Sequence, residues 1–415
     1  MASGPAAVGP ARVAAFDVLL RVFEDDAYAD RALRSAVASL DERDRSLAQR
    51  LSYGAVQRVR TLDHAIETLG RRRVARLDAP VRAALRLGAY QLAFVDGVAR
   101  YAAVNESVEL VRRARLERAV AFTNAVLRRL AEGIRPLVHS LPESTPAEAG
   151  LKHSYPDWIA GTWWDELGPD GARALMRAQN EPAPTVLRLV RGGIDGLPDP
   201  DVPGAWHVKR IDEGALADGR VWPQSAASQL VGLAVGSRAG ERTLDLCAAP
   251  GGKATMLAGE VTAVEVNEAR ARELEATAQR LGVANVRVVV GDGRGLPPAL
   301  AGFDRALVDA PCSGLGVVNS RPDLRWRALP LPKLQLELLQ AAAQRVRPGG
   351  TLVYSVCTIN AEEGEAIVDA SGLEVDLTLG DEWPRFRHAR RPEFLQTLPH
   401  VHGTAGFFVA RLIAR

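Results

Sequence analysis

From Gln224 to the carboxyl terminus, short apolar or β-branched runs alternate with stretches of helical period, and this alternation restricts the fold more than any other feature of the chain. Strands separated by helices pair in parallel and are covered on both faces, the doubly wound α/β arrangement. The runs are residues 242–247, 261–266, 286–290, 306–309 and 351–354. Helices are expected to start near Lys253, Asn267 and Leu331, and a last, antiparallel strand lies at 406–412. In such sheets ligands sit beyond the carboxyl ends of the strands, so the residues that close each run are the functional candidates.

The fifth run follows the turn Pro348-Gly-Gly350 and ends on Cys357. A free cysteine is often only a small buried hydrophobe, so Cys357 gains meaning from its neighbours. The first run leads into Cys247-Ala-Ala-Pro-Gly-Gly-Lys253, a glycine turn of the kind that lets backbone approach a ligand and aims amides at an anion. It is neither a Walker A loop nor a Gly-x-Gly-x-x-Gly fingerprint, which places nucleotide phosphates behind other ligands. Glu265, 20 residues after Asp245, stands where a carboxylate grips ribose hydroxyls. Asp292, after the third run, is placed to accept from an adenine amine. Either carboxylate could instead cap the turn that follows it. Together the three strand ends suit an adenosine bearing a carboxylate in place of phosphates, which is S-adenosylmethionine. Lys253 is one of 4 lysines against 48 arginines, a choice of point charge that suits a functional ammonium.

The fourth run closes in Asp309-Ala-Pro-Cys-Ser-Gly314. If the fourth and fifth strands are neighbours, Cys312, Cys357 and Asp309 meet at one edge. Cytosine C5 is a poor nucleophile until a thiolate adds at C6; C5 then takes a methyl group, a base removes its proton and the thiolate leaves. Amine methylation needs no cysteine, and its motif usually carries an aromatic residue where Cys312 stands.

The chain has 415 residues, enough for two or three domains. Residues 11–132 read as an all-helical bundle, with apolar positions such as Leu62, Ile66 and Leu69 recurring every three or four residues. Asp41 and Pro80 stand where helices would start and Gly70 where one would end. Residues 1–135 hold 23 Arg and no Lys against 16 acidic residues, a net +7, while the remainder carries −5. Clusters such as Arg71-Arg72-Arg73 suit RNA phosphates, or else form a solvated helical face. A linker is expected at 134–149, around Pro136, Pro142 and Pro146. Beyond it a small α+β segment to about 222 holds Trp158, Trp163 and Trp164, expected to pack a helix face, and a strand at 185–190. No apolar run reaches the roughly 18 residues of a membrane span, and residues 1–12 lack the apolar region of a secretory leader. The 3 cysteines form no Cys-x-x-Cys pair, which argues against disulfides and zinc and leads to an expected cytoplasmic protein with no metal.

Two sets of phrases go beyond periodicity. Gly88-Ala-Tyr-Gln-Leu92, Tyr101-Ala-Ala-Val-Asn-Glu106 and Phe122-Thr-Asn-Ala-Val-Leu-Arg128 resemble the NusB-like RNA-binding domain. The loops 245–253 and 309–314, Arg321-Pro-Asp-Leu-Arg-Trp326, and Tyr354-Ser-Val-Cys-Thr358 with Glu362 and Glu363 resemble the Sun/Fmu (RsmB) family of RNA cytosine-5 methyltransferases. The resemblance implies a NusB-like bundle at 1–135, a linker with the small α+β segment at 136–222 and a Rossmann-like class I methyltransferase domain at 223–415. It further implies that Cys357 bonds to C6, that Cys312 assists breakdown of the adduct and that Asp309 holds the cytosine edge beside the methionine end of the cofactor. Cys247, Ala248, Ala249, Pro250, Gly251, Gly252, Lys253, Glu265 and Asp292 would bind S-adenosylmethionine, Cys247 through its backbone. The implied substrate is 16S ribosomal RNA, bare or in a partly assembled small subunit, and the implied protein a monomer. A tRNA cytosine-5 methyltransferase is an alternative. So is a non-catalytic assembly factor, although such a scaffold has no use for two strand-end thiols. Val356, Ser225, Asn319-Ser320 and Ala405 depart from the family pattern and bear on substrate contacts more than on the reaction.

Overall fold

The computed structural model describes residues 8–415. The first seven residues of the amino-terminal stretch expected to lack a leader lie outside the described residues. The chain divides into two compact units, one running to Glu181 and joined by Val318–Arg327, the other formed by Pro182–Val317 and Ala328–Arg415. This division differs from boundaries at 135 and 222.

The first unit is helical: α1 (Pro10–Glu24), α2 (Ala29–Ala36), α3 (Glu42–Gln57), α4 (Val59–Gly70), α5 (Ala79–Phe94), α6 (Arg100–Arg113), α7 (Glu117–Ser140), α8 (Pro146–His153) and α9 (Asp157–Ala178). Asp41 caps α3 by accepting from the Asp44 amide at 2.8 Å, and Pro80 lies in the first turn of α5, as expected. At the end of α4 the left-handed residue is Arg71, not Gly70. The phrase containing Gly88 is a packing phrase: a Cβ there would stand 2.5 Å from Leu127 and 2.9 Å from the Ser107 hydroxyl, so only glycine lets these elements approach.

The expected linker at 134–149 is mostly helix. Helix α7 runs through Pro136 because its buried stripe continues at Ile134 and Arg135 anchors that turn to the Leu92 and Val95 carbonyls. Tertiary packing there outweighs the lost helical hydrogen bond. Pro146 begins α8 behind a Thr145/Glu148 capping box. Helix α9 breaks at Gly168 (φ 70°) before Pro169, giving two helical arms. Of the three tryptophans in its first arm, Trp163 is fully buried whereas Trp158 is exposed.

The inserted segment Val318–Arg327 is held by Arg325, a fully buried side chain. Its guanidinium donates to the Gln57 and Ser154 carbonyls and to Asn180, and stacks 4.1 Å from the Tyr155 ring centroid. The Trp326 indole donates to the Val56 carbonyl at 2.7 Å.

The second unit opens with a small antiparallel sheet of order β2-β3-β1-β4, formed by β1 (Val186–Leu189), β2 (Leu197–Pro198), β3 (Ala205–His207) and β4 (Val221–Pro223). A larger sheet follows, containing β5 (Arg242–Asp245), β6 (Glu260–Glu265), β7 (Val286–Val290), β8 (Phe303–Asp309), β9 (Val346–Val356), β10 (Glu374–Val375), β11 (Leu395–Thr397) and β12 (Phe407–Ile413). Its order is β10-β12-β9-β8-β5-β6-β7, with β11 paired to β12. Strands β5 to β9 are mutually parallel and β12 is antiparallel to β9, matching the expected pattern. Helices Glu268–Leu281 and Pro332–Ala343 begin where Asn267 and Leu331 predict. The helix expected near Lys253 is only a 3-10 turn, Ala254–Met256, because β6 begins at Glu260 and leaves no room for more. No helix of the described residues is long and apolar enough to cross a membrane.

Candidate active site

Strands β8 and β9 run side by side with Asp309 opposite Ser355, so the loops that leave them emerge together. The chain after β8 carries Cys312 and the chain after β9 carries Cys357, and their sulfur atoms lie 3.4 Å apart. The Gly316 amide donates to the Cys357 carbonyl at 3.0 Å and fastens one loop to the other. Hydrogen bonding to Cys357 and burial push the Cys312 thiol well above its ordinary pKa.

Asp309 joins this pair to the glycine loop. One carboxylate oxygen accepts from the Ser355 hydroxyl at 2.8 Å, the other from the Lys253 ammonium at 2.6 Å. Lys253 also lies 5.1 Å from the Phe407 ring centroid, within cation–π range. The lone lysine of the loop is therefore tied to the carboxylate that closes β8.

A cavity opens beside this linkage, lined by Gln224, Asp245, Asp309 and the loop residues Cys247–Pro250, Gly252 and Lys253. Burial pushes the Cys247 thiol upward, with the Asp245 charge adding to it, which keeps the sulfur neutral. Neither Cys312 nor Cys357 is among the lining residues.

Glu265 and Asp292 are held elsewhere. Glu265 is 3% exposed, accepts from the Asn267 amide at 2.9 Å and lies 3.7 Å from Arg270, bracing the turn after β6. Asp292 forms an ion pair with Arg294 at 2.6 Å, accepts from its backbone amide, and lines a separate depression with Glu337. These bonds from Arg294 hold the Asp292 carboxyl below its usual range. In this conformation both act as caps, the alternative that sequence left open.

Two residues of the cavity were not legible as site residues. In the sequence Asp245 is the first residue of the resembling loop and the origin for counting to Glu265, with no role of its own, yet it is fully buried and neither carboxylate oxygen has a well-formed hydrogen bond. Burial and the like charge of Asp309 raise its pKa to about 7, against the pull of Lys253 and the Cys247 amide. Gln224 likewise keeps an unpartnered, buried amide oxygen. An acidic residue closing the first strand directly before a glycine turn was the available signal.

Residues 233–413 match the family model described as 16S rRNA methyltransferase RsmB/F, and residues 9–132 match the NusB family. The probable ribosomal RNA small subunit methyltransferase B of Synechocystis sp. is 33% identical, over 97% of this chain and 99% of that protein. The ribosomal RNA small subunit methyltransferase B of Thermus thermophilus is 39% identical, over 82% of this chain and 81% of its own. The crystal structure of PH0851 shares the fold with a TM-score of 0.80 at 23% identity, over 99% of this chain and 100% of that one.

Proposed function

Because the chain belongs to the 16S rRNA methyltransferase RsmB/F family, we propose that it transfers a methyl group from S-adenosylmethionine to C5 of a cytosine in 16S ribosomal RNA, through a transient bond from Cys357 to C6. The observation that carries this reading is the pair of thiols 3.4 Å apart at the ends of adjacent parallel strands, next to the Lys253–Asp309 linkage. Methyl transfer to an exocyclic amine has no use for such a pair.

The cavity fits the methionine end of the cofactor in one specific respect. Its unpartnered acceptors, the Asp245 oxygens and the Gln224 amide oxygen, suit an ammonium group, and the loop 247–253 offers its backbone. When bound, the cofactor supplies an electrophilic methyl group on a sulfonium. Glu265 and Asp292 would hold its ribose and adenine, for which Asp292 must turn from Arg294.

The protein's own residues do the rest. Cys357 adds to C6 as the thiolate, and the electrons of the C5–C6 double bond move to C5, which takes up the methyl group. Asp309, fixed by Lys253 and Ser355, holds the cytosine edge and stabilises the altered ring. A base then takes the C5 proton, the C5–C6 double bond re-forms and the Cys357 sulfur leaves as the thiolate, a departure that Cys312 assists from its adjacent position. The helical unit would bind the RNA through its arginines.

Incubation of the protein with labelled cofactor and deproteinised ribosomal RNA, followed by mapping of the label to base and carbon, tests the proposal. Label at C5 of cytosine is expected. Label at cytosine N4 or none at all would sink it.

A further inference from the structure

Glu363 is fully buried, and among the described residues no lysine or arginine pairs with it. Every group that touches its carboxylate is a neutral donor. The Ser313 amide lies 3.0 and 3.3 Å from the two oxygens, and the Ser313 hydroxyl makes a short bond to one of them. The Leu331 amide donates at 3.1 Å and the Gln335 amide at 2.8 Å. Three N–H donors, those of Ser313, Leu331 and Gln335, converge on the two oxygens, a set that suits a carboxylate. Leaving a charge buried without a counter-ion is costly, and side chains of the same size could fill the space without that cost.

The placement gives the charge a use. Ser313 follows Cys312, and its hydroxyl is 3.0 Å from that of Thr358, the residue after Cys357. The Gln335 amide that reaches Glu363 also reaches the Pro311 carbonyl at 2.9 Å, and the Tyr354 hydroxyl donates to the Glu363 carbonyl at 2.6 Å. One carboxylate therefore gathers the Pro311–Ser313 turn, the loop after β9 and the start of helix Pro332–Ala343. Lys253 and Asp309, which closes β8, are paired with each other.

We propose that Glu363 is a positioning residue that makes the two thiols unequal: it seats Cys312 against Cys357 and, by its negative charge, keeps the proton on Cys312 so that Cys357 is the nucleophile. The proposal rests on the two-thiol reading above and supplies the distinction which that reading assumes. Glu363 is also among the causes that push the Cys312 thiol upward.

Limiting alkylation of the full-length protein with iodoacetamide near neutral pH, followed by peptide mass mapping, measures the inequality. Cys357 should react at least about tenfold faster than Cys312, since the thiolate is the reacting form. In Glu363→Gln the ratio should fall by at least about fivefold, and Glu363→Asp, which retains the charge, should restore most of it. An unchanged ratio in folded Glu363→Gln overturns the proposal. Should that variant fail to fold, the unmodified protein decides alone, because equal reactivity or a faster Cys312 is equally fatal. Alkylation needs neither RNA nor cofactor, so its outcome is independent of whether methyl is found at C5.

Discussion

Cys357 and Cys312 are the same residue type 3.4 Å apart, and their expected roles differ through surroundings alone. Cys357→Ala should abolish turnover and any covalent adduct, whereas Cys312→Ala should leave an RNA-linked species on a denaturing gel. The reverse result would exchange their roles. Asp245 makes a second prediction at this scale. Its pKa is about 7 in the fold against an ordinary 3.8, so the folded state binds the extra proton. The cost of ionising it is absent below about pH 4, grows through pH 7 and is complete above, reaching up to about 4 kcal/mol. Thermal unfolding of the ligand-free protein should therefore show lower stability at pH 8 than at pH 5.5, and Asp245→Asn should shrink that difference. A variant with an unchanged pH dependence would mean the carboxyl is not strained.

At the scale of elements, the segment Val318–Arg327 belongs to the helical unit although its flanking strands do not. Arg325→Met should destabilise the full-length protein by about 3–5 kcal/mol in urea unfolding, because four acceptors lose a buried charged donor. A loss below about 1 kcal/mol would show that those acceptors find other partners. Strand and helix alternation made β5 to β9 legible, and with them the strand-closing Asp309, Cys312 and Cys357. Local rules failed where packing overruled them, as at Pro136, and where chain length did, as in the 3-10 turn after Lys253. The roles of Asp245, Gln224 and Glu363 were not legible for another reason: Asp245 and Gln224 are marked by buried acceptors without a partner and Glu363 by burial without a counter-ion, which no spacing in the sequence records.

Across the whole molecule, positive charge gathers in the amino-terminal residues, where Arg71, Arg72 and Arg73 are all exposed. Arg72→Ala with Arg73→Ala should weaken RNA binding whatever the sequence and make its dependence on log salt shallower by about 1.4 to 1.8, if both contact phosphates. An unaltered slope would place the RNA on another surface. The paired sulfur atoms carry a wider consequence. At 3.4 Å they are one two-electron step from a bond with each other, so hydrogen peroxide, reduced to water as both thiols give up hydrogen, should lock the proposed nucleophile away. Activity lost to peroxide and regained with dithiothreitol would make this protein's methylating capacity a readout of how reducing its surroundings are.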